Sequence, residues 1–282
     1  MYLLFDIGGT KMRVAYSRDG HAFEEPRIVA TPQNFAVGMQ TIERTARELS
    51  AGRPLRGVAG GIAGSLDESK EKVFRAGNLS DWAGKPLKKE LEKIFHTEVF
   101  LENDAALGAL GEAVAGVGKG KAIVAYLTIS TGVGGARIVN GEIDESVHGF
   151  EPGHQIIDII GAGKKEQVGT LQNYVSGAAL EKRLGMHPGQ VINGAVWDEL
   201  ARHLAYGLHN TIVHWSPNLI VLGGSMILGK NGIKIQQVEK YLKEISTVFQ
   251  ELPDIKEATL GDFSALHGAL ELIRSHSQKQ GS

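Results

Sequence analysis

The chain has 282 residues, a formal net charge of −2, 42% hydrophobic residues and 22% charged residues. This length allows one large domain or two of ordinary size, and the composition is typical of a globular protein. The weak net charge gives no general attraction to nucleic acid or to an anionic membrane, and no apolar run approaches the roughly 18 residues of a membrane span. Because there are no cysteines, disulfides and thiolate zinc sites are excluded. We expect a cytoplasmic protein without a nucleic-acid or membrane partner.

Strands and helices alternate along the chain, which predicts an α/β fold. In the first half, the pattern predicts strands at 2–7, 12–17 and near 27–30, a helix at 34–50, a buried strand in LRGVAGGIAGSLD, a helix at 85–96, the strand VFLE and a helix in NDAALGALGEAVAG. In the second half it predicts a strand, turn and strand in AIVAYLTISTGVGGARIVNGEI, helices at 171–184, 194–214 and 234–249, the buried strand LIVLGG, and a final helix at 264–277.

Glycine is unusually frequent, with 37 of 282 residues against a usual share of about 7%. Two glycine-rich hairpins, YLLFDIGGTKMRVAYSRDG and AYLTISTGVGGARIVNGE, share one plan and lie about half a chain apart. This internal similarity predicts two related lobes, each of which contributes one hairpin to a shared cleft. Such turns leave backbone N–H groups open to anions. Either hairpin alone is equally well explained as a plain turn, but two copies with Asp6 ahead of the first favour a polyphosphate with Mg²⁺, which prefers oxygen ligands.

Two common nucleotide motifs are absent from the sequence. No G-x-x-x-x-G-K-[ST] segment occurs, so the chain is not a P-loop protein. No G-x-G-x-x-G lies between a strand and a helix with an acidic residue downstream, which argues against a Rossmann dinucleotide site.

The segment VFLENDAALG places Asp104 where a buried strand gives way to a helix. Phosphoryl transfer to a hydroxyl needs a carboxylate to take the proton, and Asp104 can face a cleft from this position. The alternative is that Asn103 or Asp104 is only the helix N-cap, where both residue types are favoured. The residues alone leave both interpretations open.

Five segments resemble the ROK family of sugar kinases in order and spacing, over nearly the whole chain: DIGGTKMRVA, ENDAALGALGE, TISTGVGG, GFEPGH and PNLIVLGGSM. That family belongs to the wider actin-like ATPase group. The resemblance therefore implies a two-lobed, actin-like (ribonuclease H-like) α/β fold in which ATP binds in a cleft between the lobes. It also implies phosphorylation of a hexose or N-acetylhexosamine hydroxyl, with a glucokinase-like activity as the first expectation.

The resemblance also assigns roles to single residues. It implies a first phosphate loop of Gly8, Gly9, Thr10 and Lys11, a second of Thr131, Gly132 and Gly134, and an adenosine border of Gly223 and Gly224. It implies that Asp104 is the catalytic base. The implied sugar contacts are Gly64, Asn78, Asn103, Glu151, His154 and Gln172. From the residues alone, the alternatives are a turn residue for Asn78, a loop carboxylate for Glu151 and a structural histidine for His154.

The chain departs from the family in one segment. Most members carry a C-x-C-G-x-x-G-C-x-E run whose cysteines, with a histidine, hold a structural zinc; here those positions fall on Gly163, Lys165 and Thr170, and the glutamate on Gln172. Neutral or cationic side chains cannot replace thiolates, so we expect no structural zinc. Apolar packing is expected to hold the loop instead, through Ile156, Ile157, Ile159, Ile160, Leu171, Tyr174 and Val175.

The sequence thus predicts an N-terminal lobe at 1–115, a second lobe at 116–262, and a last helix, about 263–282, that packs back on the first lobe. The expected ligands are ATP, Mg²⁺ and a sugar, and the family expectation is a homodimer. The alternative is a non-catalytic or degenerate sugar-binding regulator of the same family. Repressors of the family carry an N-terminal helix-turn-helix domain, whereas the first strand here begins at residue 2, so no DNA-reading element is expected.

Overall fold

The computed structural model describes residues 1–77, 79–158 and 169–279. Its first elements are β1 (Tyr2–Ile7), β2 (Lys11–Ser17), β3 (Arg27–Ala30), α1 (Phe35–Ser50), β4 (Gly57–Ile62), β5 (Ser65–Leu66), β6 (Val73–Arg75), α2 (Leu87–Phe95), β7 (Val99–Asn103) and α3 (Asp104–Val114). Then follow β8 (Ile123–Ile129), β9 (Val133–Val139), β10 (Glu142–Ile143), β11 (Ile156–Asp158), β12 (Gly169–Thr170), α4 (Leu171–Val175), α5 (Gly177–Leu184), α6 (Gly194–Trp215), β13 (Leu219–Gly223), α7 (Ser225–Leu228), α8 (Ile235–Ile245), β14 (Asp254–Glu257) and α9 (Ser264–Lys279).

The chain divides into two compact units. Unit 1 comprises Met1–Val114, Glu145–Gly149 and the segment from Asp262 onward, and unit 2 comprises Ala115–Asp144 and Phe150–Gly261. Each unit contains one five-stranded sheet, in which an antiparallel hairpin is followed by parallel strands. The predicted α/β class is confirmed.

The sheet of unit 1 has the strand order β3-β2-β1-β4-β7, with β1, β4 and β7 parallel. Because side chains alternate along a strand, Leu3 and Phe5 of β1 join the core under α1 and α2, whereas Leu4 joins a second core with Leu266 of α9. Both faces of the sheet are therefore covered by helices.

Helices α3 and α9 of unit 1 approach each other at the level of their backbones. A Cβ added to Gly111 would lie within 3.0 Å of the Ser264 carbonyl oxygen, and one added to Gly268 within 3.0 Å of the Leu107 carbonyl oxygen. Glycine is required at both positions because no side chain fits between the helices.

The sheet of unit 2 has the order β10-β9-β8-β13-β14, with β8, β13 and β14 parallel. Its core joins the sheet to α4, α6 and α8, with Leu127, Leu204 and Leu222 fully buried. Among the described residues, no helix has the length and apolarity needed to cross a membrane.

Several predicted elements were wrong in detail. The helix predicted at 171–184 is two helices, because Ser176 has extended backbone (ψ 154°) and its Oγ caps α5 by accepting the Ala179 N–H at 3.2 Å. The helix predicted at 234–249 ends at Ile245, and β14, which the sequence did not predict, follows at the edge of the sheet.

The apolar packing predicted for the cysteine-free segment is only partly right. Leu171 and Val175 are fully buried, and Ile157 and Tyr174 pack against the same core. The prediction for Ile156 was wrong, since 54% of this residue is exposed, as expected where alternate residues of the short strand β11 face opposite ways. The predicted contacts of Ile159 and Ile160 lie outside the described residues.

Candidate active site

In unit 1, three parallel strands end at one edge of the sheet. Ile7 of β1 pairs with Ile62 of β4, and Ile62 pairs with Asn103 of β7. The segments that follow these strands therefore lie side by side, and they carry the first glycine loop, Gly64 and Asp104. Ligands of parallel α/β sheets bind beyond the carboxyl ends of the strands, which makes this edge the candidate site in unit 1.

Asn103 is the N-cap of α3. Its Oδ1 accepts the Ala106 N–H at 3.0 Å, while its Nδ2 donates to the Gly64 carbonyl oxygen at 2.8 Å and to Asp104 Oδ1 at 3.2 Å. The amide thereby satisfies the helix end and links Gly64 to Asp104. Because both amide hydrogens have protein partners, the sugar contact predicted for Asn103 would use the second lone pair of Oδ1; it stays a prediction.

Asp104 is the first residue of α3, and its Oδ1 also accepts the Ala105 N–H at 2.9 Å. Since Asn103 provides the cap, the Asp104 carboxylate is not required for that role. Its proximity to the helix N-terminus favours the ionised form, which is the form that accepts a proton.

Gly64 has a steric reason to be glycine. Its φ is +141°, and an added Cβ would lie within 3.0 Å of both the Arg75 carbonyl oxygen and the Ala76 Cα. The backbone of Gly64 thus touches the small hairpin β5–β6, and its carbonyl oxygen holds Asn103. The predicted sugar contact of Asn78 lies outside the described residues.

Asp6 lies on β1, opposite Arg13 of β2. Its Oδ2 accepts from Arg13 Nη1 at 3.0 Å, and Arg13 Nη2 also reaches Asp262 at 3.0 Å. Burial raises the pKa of Asp6 to about 6, although the Arg13 guanidinium opposes this shift. The carboxyl is therefore mostly ionised at neutral pH.

The sequence predicts Asp6 as a ligand of nucleotide-associated Mg²⁺. Within the described ranges, no group of three or more His, Cys, Asp or Glu residues is placed to hold a metal. Mg²⁺ in phosphoryl-transfer sites is bound by one or two carboxylates together with phosphates and waters, so a single buried carboxylate near the end of β1 suffices. Asp6 as Mg²⁺ ligand stays a prediction.

The first glycine loop is fixed through its carbonyl groups. Thr31 donates to the Gly8 carbonyl oxygen through Oγ1 at 2.7 Å and to the Thr10 carbonyl oxygen through its N–H at 2.9 Å. The Gly8 N–H closes the turn onto the Lys11 carbonyl oxygen at 3.0 Å, and Gln33 reaches the Gly9 carbonyl oxygen at 3.5 Å. Thr10 and Lys11 are exposed. The loop is thus held from one side and presents exposed polar residues on the other.

The second glycine loop, at the β8–β9 turn, is held by the two helices that follow β12. The N–H groups of Gly177 and Ala178 donate to the carbonyl oxygens of Ser130 and Thr131 at 2.7 and 3.2 Å. Gln172 Oε1 of α4 accepts the Val133 N–H at 2.9 Å. The turn carries Thr131 and Gly132, whereas Gly134 lies within β9 opposite Thr128.

Unit 2 contains a cavity of about 270 Å³ beside this loop. It is lined by Thr131, Gly177, Ala178, Glu181, His187, Pro188, Gly189, Trp197, Ser225, Met226, Gly229, Lys230 and Asn231. Apolar atoms make up most of the lining surface, and the polar side chains come from Thr131, Glu181, His187, Ser225, Lys230 and Asn231. Such a mixture suits the base and ribose of a nucleotide. Its position next to the second glycine loop supports an adenosine site.

Gly223 is the last residue of β13, and Gly224 connects this strand to α7. An added Cβ on Gly223 would lie 2.7 Å from the Tyr126 hydroxyl oxygen. Gly224 has a φ of +87°, and its Cβ would lie within 3.0 Å of the Ile129 carbonyl oxygen. Both glycines therefore allow β13 to turn into α7 directly against β8, which places Ser225 and Met226 in the cavity wall.

Glu151 precedes a short 3₁₀ turn, Pro152–His154, and His154 is its last residue; both are exposed. The His154 N–H donates to the Glu151 carbonyl oxygen at 3.0 Å. A Cβ on Gly153 would lie within 3.0 Å of the Val133 carbonyl oxygen, so this turn rests on the start of β9. The predicted sugar roles of Glu151 and His154 stay predictions.

Tyr174 of α4 contacts both β11 and α6. Its hydroxyl donates to Asp158 of β11, and its ring stacks on His203 of α6 with centroids 4.4 Å apart. Thr170 hydrogen-bonds Asn173. The positions of Gly163 and Lys165 lie outside the described residues.

Sequence reasoning missed two sets of residues at these sites. Glu102 precedes Asn103, accepts the Asn103 N–H at 2.9 Å and pairs with Lys70 of the β5–β6 turn. The cavity residues Glu181, His187 and Lys230 were also missed. They come from helix α5 and from two separate loops, with no shared motif, so only the folded arrangement identifies them.

Comparisons with known proteins match almost the entire chain. The model of the ROK family matches residues 2–276. An uncharacterized protein of Clostridium perfringens is 29% identical over 299 residues, covering 99% of both chains. The N-acetyl-D-glucosamine kinase of Pectobacterium carotovorum subsp. carotovorum is 27% identical over 300 residues, covering 95% of this chain and 97% of that protein.

Among solved structures, a ROK family glucokinase from Streptomyces griseus, in complex with glucose and AMPPNP, is similar to this chain. It is 26% identical with a TM-score of 0.79, covering 97% of this chain and 99% of that chain. The likeness confirms the predicted actin-like α/β fold class.

Proposed function

The chain belongs to the ROK family, and on that premise we propose that it phosphorylates a sugar hydroxyl with Mg²⁺·ATP. The substrate class is a hexose or N-acetylhexosamine, with glucose the first candidate. The observation that carries the proposal is the division of roles at α3: Asn103 caps the helix and holds Asp104, and the Asp104 carboxylate stands beyond the ends of three parallel strands.

In the proposed reaction, the sugar oxygen attacks the γ-phosphorus, the bond to the β-phosphate oxygen breaks, and the hydroxyl proton passes to the Asp104 carboxylate. Bound Mg²⁺ would neutralise phosphate charge. Asp6 would hold the ion, and the two glycine loops would position the polyphosphate through backbone groups. Because the transition state of phosphoryl transfer is loose, positioning contributes more than the basicity of the carboxylate. An ionised carboxylate at a helix N-terminus is therefore adequate as the base.

The cavity of unit 2 supports an adenine nucleotide as the phosphoryl donor. It lies beside the second glycine loop and shares Thr131 with it. Gly223 and Gly224 form the turn that leads into its wall, and this position supports the proposal that they border the adenosine. A homodimer remains a prediction.

The test is the Asp104→Asn variant, assayed by ADP release over a panel of hexoses and N-acetylhexosamines. We expect kcat to fall at least about 10²-fold, the usual scale for loss of a general base, with the fold and some sugar affinity retained. Glu90→Gln, the same exchange of carboxylate for amide in the first turn of α2, is the matched control and should keep full turnover. Near wild-type turnover in a folded Asp104→Asn protein would refute the base assignment.

A degenerate, sugar-binding member is the second candidate, favoured by the amide of Gln172 where the family resemblance implies a carboxylate. If no sugar in the panel supports ADP release by the wild-type protein, the kinase proposal fails. Calorimetric titration with the same sugars would then identify a binding protein.

A further inference from the structure

We propose that Glu181 of α5 recognises the phosphoryl donor by accepting hydrogen bonds from the hydroxyl groups of its ribose. This inference rests on the proposed function, because it concerns the cavity of unit 2 that would hold the adenosine. It deepens that function by naming one side chain and the chemical group of the nucleotide that it would bind.

Helix α5 begins at the second glycine loop and continues along the cavity. Its first two N–H groups, those of Gly177 and Ala178, donate to the carbonyl oxygens of Ser130 and Thr131. Gly177, Ala178 and Glu181 all line the cavity, as expected for residues on one face of a helix. At a rise of about 1.5 Å per residue, Glu181 lies roughly 6 Å along the helix axis from Gly177.

This spacing matches the build of a nucleotide, in which the ribose joins the phosphates to the base. If the phosphates lie at the glycine loop, the ribose follows next along the cavity. Glu181 stands about one helical turn beyond the residues that hold the loop. The carboxylate is therefore at the level of the ribose rather than of the phosphates.

The Glu181 carboxylate is available to a ligand. Among the described lining residues of the cavity, it is the one carboxylate and Lys230 is the one lysine. Neither side chain forms an ion pair within the described part of the chain, and Arg183 of the same helix pairs with Glu199 instead, at 2.6 Å. Glu181 is exposed, so a bound nucleotide can reach it without a rearrangement of the core.

An ionised carboxylate suits the ribose as a partner. The ribose carries two adjacent hydroxyl groups that can donate, and a carboxylate has two oxygens that only accept. Hydrogen bonds to an ionised acceptor are roughly twice as strong as those between neutral groups. A lysine has donors only, so Lys230 cannot replace Glu181; its positive charge in the same cavity offsets the repulsion between the carboxylate and a polyphosphate.

The test pairs two ligands with three variants. Calorimetric titration without sugar compares Mg²⁺·ATP with Mg²⁺·2′,3′-dideoxy-ATP, which lacks both ribose hydroxyls. Glu181→Ala removes the carboxylate, and Glu181→Gln keeps an acceptor but removes the charge. Glu244→Gln is the matched control, the same exchange at an exposed position of α8 in the same unit.

We expect the wild-type protein to bind Mg²⁺·ATP at least about tenfold more tightly than the dideoxy compound, the scale of a hydrogen bond to a charged group. In Glu181→Ala the two Kd values should become equal within about twofold, because binding of ATP weakens while binding of the dideoxy compound changes little. Glu181→Gln should lie between these values, since its hydrogen bond is neutral. Glu244→Gln should behave like the wild type.

Turnover gives a second readout. Because the ribose does not react, its contact with Glu181 is the same in the ground state and the transition state. Glu181→Ala should therefore raise the KM for ATP and leave kcat at saturating ATP unchanged. A kcat that falls with an unchanged KM would contradict a role in ribose binding.

An ATP preference that persists in Glu181→Ala, or that is absent from the wild type, would overturn this inference and leave the proposed function standing. Tighter binding of both nucleotides by Glu181→Ala would also overturn it, because the carboxylate would then only repel phosphate. Failure of the wild-type protein to bind Mg²⁺·ATP would refute the proposed function and this inference together.

Discussion

Replacing Gly64 by alanine tests whether the β5–β6 hairpin positions the Asp104 carboxylate, the proposed base. The carbonyl oxygen of Gly64 accepts from Asn103, which caps α3 and contacts Asp104. An alanine would have to keep a φ of +141° and fit its Cβ within 3.0 Å of backbone atoms of Arg75 and Ala76. Since these are backbone atoms, no side-chain rotation can relieve the overlap.

The expected loss of stability has two contributions, the unfavourable φ and the steric overlap of the added Cβ. A side chain in a region of φ that favours glycine costs of order 1–3 kcal/mol, and overpacking costs typically about 1–3 kcal/mol. Together they predict a loss of roughly 2–6 kcal/mol, a large part of the total stability of about 5–15 kcal/mol for a protein. Relaxation would also shift the Gly64 carbonyl away from Asn103, and a displacement near 1 Å lowers the rate about 10²-fold.

The assay is urea unfolding followed by circular dichroism, with turnover measured where the variant is folded. Gly52→Ala is the matched control, because Gly52 also has a positive φ, +73°, but no atom of the described residues lies within 4 Å of its Cβ. We expect it to lose only about 1 kcal/mol and to keep its turnover. If Gly64→Ala is no less stable than Gly52→Ala and turns over normally, the positioning role of the hairpin is wrong.

Two further predictions concern the segment after β11 and its support. Purified protein should contain no stoichiometric zinc, and a zinc chelator with Mg²⁺ in excess should change neither Tm nor turnover. His154→Ala should weaken sugar binding with little loss of stability. One tightly bound zinc per chain would contradict the prediction of a zinc-free protein. Burial lowers the pKa of His203 in the folded protein. Its contribution to the free energy of unfolding should therefore be complete above about pH 6.5, the ordinary pKa of histidine. This contribution should decline as the pH falls toward the lowered pKa, because the unfolded state then binds a proton that the folded state does not. His203→Phe keeps an aromatic ring against Tyr174 and should flatten this decline, as measured by urea unfolding at several pH values. The raised pKa of Asp6 has the opposite effect, favouring the folded state at low pH, but it is common to both proteins. Equal pH dependence in the wild type and the variant would refute the prediction.

The parts of the fold that the sequence predicts well are those determined by local pattern. β1 and β2 are strand-forming segments, largely apolar in β1, on either side of a glycine turn, and both strands are present where the sequence predicts them. The break at Ser176 was missed because helical spacing continues across it, and only the extended backbone of one residue separates α4 from α5. β14 is an exposed edge strand with one buried residue, Ile255, so its pattern is too weak to be detected.

In the candidate site, too, the residues predicted from sequence are those determined by local pattern. Asn103 and Asp104 were identified from their position between a strand and a helix, but the sequence could not say which of them caps α3, because either side chain can reach the helix N–H groups. The hydrogen bond from Ala106 to Asn103 decides this. The cavity of unit 2 could not be predicted, since residues such as Glu181, His187 and Lys230 come together only through tertiary folding.

The close contact of α9 with α3 has a consequence for folding during synthesis. Leu4 and Leu107 of unit 1 are buried by Leu266 and Ile273 of α9, which is made after all of unit 2. At translation rates of about 5–20 residues per second, α9 emerges roughly 8–30 s after α3. For that interval the face of the first sheet against which α9 packs is covered only in part, by α3, and its remaining apolar side chains are open to chaperones or to aggregation. Unit 1 thus begins to form first on the ribosome and is completed last.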